Sequence, residues 1–78
     1  MNYSEEQFIL GINQKNREVF HELYRRFYRM LVHFAMKYLE DSALAEDVVQ
    51  DTFVSLWERH ECFLSYGRLR NFLYLSVR

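Results

Sequence analysis

Charged side chains are sorted by sign along this 78-residue chain, and they carry most of the chemistry it can offer. Between Leu23 and Leu39 the charges are Arg25, Arg26, Arg29 and Lys37, all positive. From Glu40 to Glu58 they are Glu40, Asp41, Glu46, Asp47, Asp51 and Glu58, all negative. After Glu61 only Arg68, Arg70 and Arg78 remain. With a net charge of −1, indiscriminate attraction to nucleic acid is not expected. Segregation of this kind suggests two surfaces with partners of opposite sign, ordinary solvated helix faces being the alternative.

Residue patterns for catalysis or metal binding are missing. His21-Glu22 opens like a zinc-binding helix motif, but Arg25 stands where the second histidine is needed. His21, His33 and His60 are too scattered to face one another on one helix. His33, between Val32 and Phe34, reads as a packed or partly exposed side chain. There is no glycine-rich phosphate loop and no nucleophile motif. Cys62 is alone, which excludes an intrachain disulfide, and with no activating charge beside it the thiol reads as a small buried hydrophobe. No enzyme, metal or cofactor is expected.

The elements that position these groups are helices. Half of the residues are hydrophobic and 18% aromatic, with no proline and two glycines. That composition supports one small domain with a core of its own and leaves little turn chemistry for an all-β fold. Ser4-Glu5-Glu6-Gln7 fits a capping box, and Phe8 and Ile12 follow one turn apart. Asn13 to Asn16 reads as a turn, with Asn16 a cap. A long second helix is marked by Phe20, Leu23, Phe27, Leu31, Phe34 and Tyr38 at steps of three and four, widened by Val19, Tyr24, Ala35 and Leu39.

Asp41 or Ser42 caps a third helix, with Glu46 and Asp47 early in it, where the helix dipole favours negative charge. Its inner face is Ala45, Val49, Phe53, Leu56 and Trp57. A separate stripe of Asp47, Gln50, Asp51, Val54 and Glu58 points away from the core. His60 to Gly67 has no periodicity and reads as an apolar, aromatic loop. A fourth helix is expected from about Arg68, with Leu69, Phe72, Leu73 and Ser76 inward and Arg70, Asn71, Tyr74 and Arg78 outward. The expectation is an all-α, compact bundle of about four helices. The polar, acidic start fits no secretory signal and no apolar run approaches a membrane span, so the cytoplasm is the default location. The last helix stops without a cap, a glycine or a polar tail, which suggests a piece of a longer protein.

Ala45-Glu46-Asp47-Val48-Val49-Gln50-Asp51-Thr52-Phe53-Val54-Ser55-Leu56-Trp57 closely resembles region two of bacterial sigma factors of the extracytoplasmic-function class. Val19-Phe20-His21-Glu22-Leu23-Tyr24 and Leu69-Arg70-Asn71-Phe72-Leu73-Tyr74 resemble the family's flanking motifs, so the likeness spans residues 1–78. It implies a helical bundle that docks on the clamp helices of the largest subunit of core RNA polymerase and captures the non-template strand of a promoter's minus-ten element. The stripe Asp47, Gln50, Asp51, Val54 and Glu58 matches the polymerase-binding face. The loop from Cys62 to Gly67, with Phe63 and Tyr66, matches the segment that pockets a flipped-out base. Arg68, Arg70, Asn71, Tyr74 and Arg78 match the part that reads the melted strand.

Physical chemistry agrees with that division, since clustered carboxylates suit a basic protein partner and repel phosphate. Arginine beside exposed aromatics suits a single strand, whose bases stack on rings while cations neutralise its phosphates. Phe72 departs from the family's usual tryptophan and removes an indole donor. The domain that reads the minus-thirty-five element is expected to lie outside this chain, and an anti-sigma factor is a further partner the resemblance leaves room for. Two other readings stand beside it. One is a generic helical interaction module with an acidic face; the other is a helix-turn-helix domain that binds duplex DNA, which calls for a shorter turn and a basic recognition helix.

Overall fold

Side-chain caps decide where the helices of this chain begin. The computed structural model describes residues 3–78, in four helices: α1 (Glu5–Asn13), α2 (Arg17–Leu39), α3 (Ser42–Glu58) and α4 (Tyr66–Ser76). Ser4 caps α1, its Oγ accepting from the Gln7 N–H (3.1 Å) while its own N–H donates to Gln7 Oε1 (2.8 Å), a complete capping box. Asn16 accepts from the Glu18 and Val19 N–H groups to start α2, and Asp41 accepts from those of Ala43 and Leu44 to start α3. Ser65 accepts from the Arg68 N–H, so α4 begins at Tyr66 and takes in Gly67. The helix expected from Arg68 therefore starts two residues earlier, and the loop ends at Ser65.

With α3 starting at Ser42, Glu46 and Asp47 lie beyond its first turn, which holds no acidic residue. The dipole argument for them fails, because that effect fades within one turn. Glu46 Oε1 instead accepts from the Tyr28 hydroxyl at 3.1 Å. The opposite end of α3 is served from a distance. Lys15, left-handed at φ 59° in the turn between α1 and α2, donates its Nζ to the Trp57 and Arg59 carbonyls. No basic residue occupies the last turn of α3 itself, so this lysine satisfies one of its terminal carbonyls, that of Trp57, and complements its dipole.

Helix α2 forms the centre of the bundle. It packs most extensively on α3 and also touches α1 and α4, while α4 closes the structure against α1 and α3. Phe8, Leu23, Leu31, Val49, Leu69 and Leu73 are fully buried, and Phe27, Ala35, Ala45, Phe53 and Leu56 complete the middle of the core. Thr52 is buried as well, its Oγ1 donating to the Val48 carbonyl one turn back (2.9 Å). The stripe predicted on α2 holds from Phe20 to Phe34, but Tyr38 and Leu39 are exposed. At 1.5 Å per residue α2 is roughly 34 Å long and α4 roughly 16 Å, so α4 can cover only part of α2. No helix among the described residues is long and apolar enough to cross a membrane.

Candidate functional site

The predicted stripe on α3 is a surface. Asp47, Gln50, Asp51, Val54 and Glu58 are all exposed, on the side of the helix opposite Ala45, Val49, Thr52, Phe53 and Leu56. Its carboxylates are uncompensated: among the described residues the ion pairs are Glu22–Arg25 and Arg59–Glu61, both at 3.5 Å. Val54 stands 54% exposed among them, an apolar contact point ringed by acids.

Beside that stripe, α2 and α3 leave an open groove of about 630 Å³ lined by Arg17, Phe20, His21, Tyr24, Gln50, Phe53, Val54 and Trp57. Gln50 and Val54 belong to both features. The groove's wall is aromatic: Phe20 meets Trp57 edge-on at 5.0 Å, and Tyr24 packs on Phe53 at 4.7 Å and stacks on Tyr28 at 4.9 Å. Burial, reinforced by Tyr28 and the carboxylate of Glu46, holds the Tyr24 phenol above its ordinary pKa. An apolar slot bordered by free carboxylates suits a partner helix with an apolar anchor and basic flanks.

The segment between α3 and α4 is built differently from its sequence reading. Asn13, the last residue of α1, clamps it. Asn13 Nδ2 donates to the Phe63 carbonyl (2.9 Å), and the Phe63 N–H donates to Asn13 Oδ1 (2.8 Å). Held this way, Phe63 turns inward and is 7% exposed. Its ring meets Phe72 at 5.5 Å, and the Arg59 guanidinium lies over both rings at 4.8 and 5.0 Å. Cys62, expected to be buried, is exposed instead, and Leu64 is 79% exposed. The inward position in this loop belongs to the aromatic ring, which removes far more apolar surface from water than a thiol would.

Residues 59–64 and α4 enclose an open depression of about 480 Å³. Of the predicted nucleic-acid residues it gathers Phe63, Arg68 and Asn71, and it adds Arg59, Glu61, Cys62 and Phe72. No local pattern in the sequence marks Arg59, because its setting depends on the fold. Its Nε is buried without a hydrogen-bond partner, while its terminal nitrogen faces Glu61 at the rim.

The other predicted residues lie elsewhere. Tyr66 is half-buried against Phe8 (6.0 Å) and Phe27 (6.2 Å). Tyr74, expected to point outward, is half-buried edge-on against Phe34 at 4.9 Å with Arg70 over its ring at 4.8 Å. Arg70 and Arg78 are exposed outside the depression. On the inner face of α4, Ser76 is exposed and Val77 buried in its stead.

A family model described as Sigma-70 region 2 matches residues 23–78, which takes in most of α2 and all of α3 and α4. Comparison with curated proteins and with solved structures finds no match.

Proposed function

The chain belongs to the Sigma-70 region 2 family, and from that premise we propose that it is the promoter-capturing domain of an extracytoplasmic-function sigma factor. Region 2 serves transcription initiation by binding core RNA polymerase and promoter DNA. In the proposed assignment Asp47, Gln50, Asp51, Val54 and Glu58 dock on the clamp helices of the largest polymerase subunit. The groove beside Val54 then accepts an apolar side chain of the clamp. The depression at residues 59–64 takes a base flipped out of the non-template strand of the minus-ten element, with Arg68 and Asn71 at its wall.

The observation that carries this reading is a separation of surfaces. An uncompensated acidic and apolar face lies on α3, while the exposed arginines Arg68, Arg70 and Arg78 lie on or just beyond α4. Carboxylates would repel a phosphate backbone, so one surface suits protein and the other nucleic acid. Phe63 enters the scheme as support: its ring forms the floor of the depression together with Phe72 instead of offering a free face. Unstacking a base costs a few kcal/mol, and contacts from Arg68 and Asn71 to its edge are the compensation proposed. An anti-sigma factor would compete for the α3 face, and the cytoplasm is where the domain would work.

Titration of the fluorescently labelled chain with core RNA polymerase tests the assignment. Asp51→Arg should abolish binding and leave helicity and the thermal midpoint nearly unchanged, because Asp51 is exposed and makes no ion pair. Retained binding together with a large loss of stability would show the stripe to be structural.

A further inference from the structure

We propose that Asn13 and Lys15 are positioning residues for strand capture, holding residues 59–63 in the shape that receives the flipped base. The proposal rests on the strand-capture reading and extends it to α1 and the turn after it, to which that reading gives no part. Both residues lie ahead of residues 23–78, the stretch that the family model matches.

The two walls of the depression are held by different means. Helix α4 is anchored by Leu69 and Leu73, both fully buried in the core. The opposite wall, residues 59–64, has no regular secondary structure, and His60, Glu61, Cys62 and Leu64 are exposed. Among the described residues, the backbone of residues 60–64 hydrogen-bonds to Asn13 alone, through the paired contacts at Phe63 (2.9 and 2.8 Å). Lys15 fixes the start of the segment by donating to the Arg59 carbonyl as well as to that of Trp57. Only His60, Glu61 and Cys62 span the distance between these two anchors.

The anchors are themselves fixed. Phe8, Gly11 and Ile12 bury one face of α1, with Gly11 pressed against Val19 of α2. The seam where Asn13 and Lys15 meet Arg59 and Phe63 encloses only about 20 Å³, room for roughly one water. Set by these contacts, the Arg59 guanidinium lies over Phe63 and Phe72, the two rings at the floor of the depression, at 4.8 and 5.0 Å. A loop with a free backbone must be ordered when the base enters, and that ordering weakens binding, whereas a segment held beforehand avoids the loss. Neither Asn13 nor Lys15 lines the depression. Their contacts run to backbone groups, so they act on the shape of the segment and not on the base itself.

Fluorescence anisotropy with the whole chain and a labelled single-stranded minus-ten oligonucleotide, carrying an abasic site at each position in turn, reads base capture separately from phosphate contact. In the native chain, removing the captured base should weaken binding about fivefold or more. Asn13→Ala and Lys15→Gly should each bind the intact and the abasic strand about equally. The salt slope should stay near −2 in both, since the three arginines Arg68, Arg70 and Arg78 each contribute roughly −0.7. Polymerase binding and helicity should also be kept, readouts that general loosening of the fold would move. Lys15 is left-handed at φ 59°, a conformation glycine adopts freely, so Lys15→Gly carries the test where Asn13→Ala fails to fold. A folded variant that keeps the full abasic penalty overturns the role given to that residue and leaves strand capture standing. Base preference lost together with polymerase binding and helicity in both variants overturns the proposal in favour of a purely structural role. A native chain indifferent to every abasic site overturns strand capture, and the positioning role with it.

Discussion

At Gly11 an added methyl would sit 2.5 to 2.7 Å from three atoms of Val19, its Cβ among them. A glycine inside an exposed helix normally costs 0.5–1 kcal/mol relative to alanine. Here the sign reverses, because a change of rotamer moves only the Cγ atoms of Val19 and the helices themselves would have to separate. Gly11→Ala should destabilise by about 1–3 kcal/mol. At Gly67 the nearest such atom is Ser65 Oγ at 3.8 Å, so Gly67→Ala should hold or slightly raise the thermal midpoint. Paired melts of the two variants check this contrast. Asn13→Ala should cost about 1–3 kcal/mol by leaving the Phe63 backbone unpaired, and amide exchange should accelerate first in residues 60–64. Such partnerships were illegible in the sequence. Asn13 reads there as a turn residue, Lys15 as one more surface charge, and nothing local says that fifty or forty-two positions later lies the backbone each one meets. The same lack of periodicity hid the exchange of Cys62 and Phe63 between surface and core.

Helices as units were far more legible, because their starts and faces are local properties. Ser4, Asn16 and Asp41 cap where their types and positions say they should. The acidic stripe on α3 falls on its outer face. The failures sit at helix ends, where the neighbours decide. Ser65 gives no cap signal in the sequence, since no carboxamide or carboxylate at the third position of α4 pairs with it to flag a capping box. Tyr38 continues the α2 stripe in spacing, yet it is exposed, its ring resting edge-on against Phe34 of its own helix. Mid-helix residues carry the stability, and Phe27, 3% exposed, is the test. Phe27→Ala should destabilise by roughly 3–5 kcal/mol. A domain of this size has about 4–12 kcal/mol in total, so the thermal midpoint should fall by roughly 12–40 °C. An unchanged midpoint would contradict the central role given to α2.

The whole molecule is organised as a bundle core with differently charged surfaces around it. Acidic residues on α3 and basic residues on α2 and α4 are fixed by separate helices, so each surface can be disabled without touching the other. Rigid docking of each surface is a fair expectation, since the helices that carry them share one core. The claim reduces to independence of the two partners, and one crossed experiment measures it. Core RNA polymerase and a labelled single-stranded minus-ten oligonucleotide are each titrated with the native chain, Asp51→Arg and Arg70→Ala. Asp51→Arg should lose the polymerase and keep the strand, with the salt slope intact. Arg70→Ala should keep the polymerase and bind the strand with a slope flatter by about 0.7. Loss of both partners in either variant, at unchanged helicity, would contradict the account.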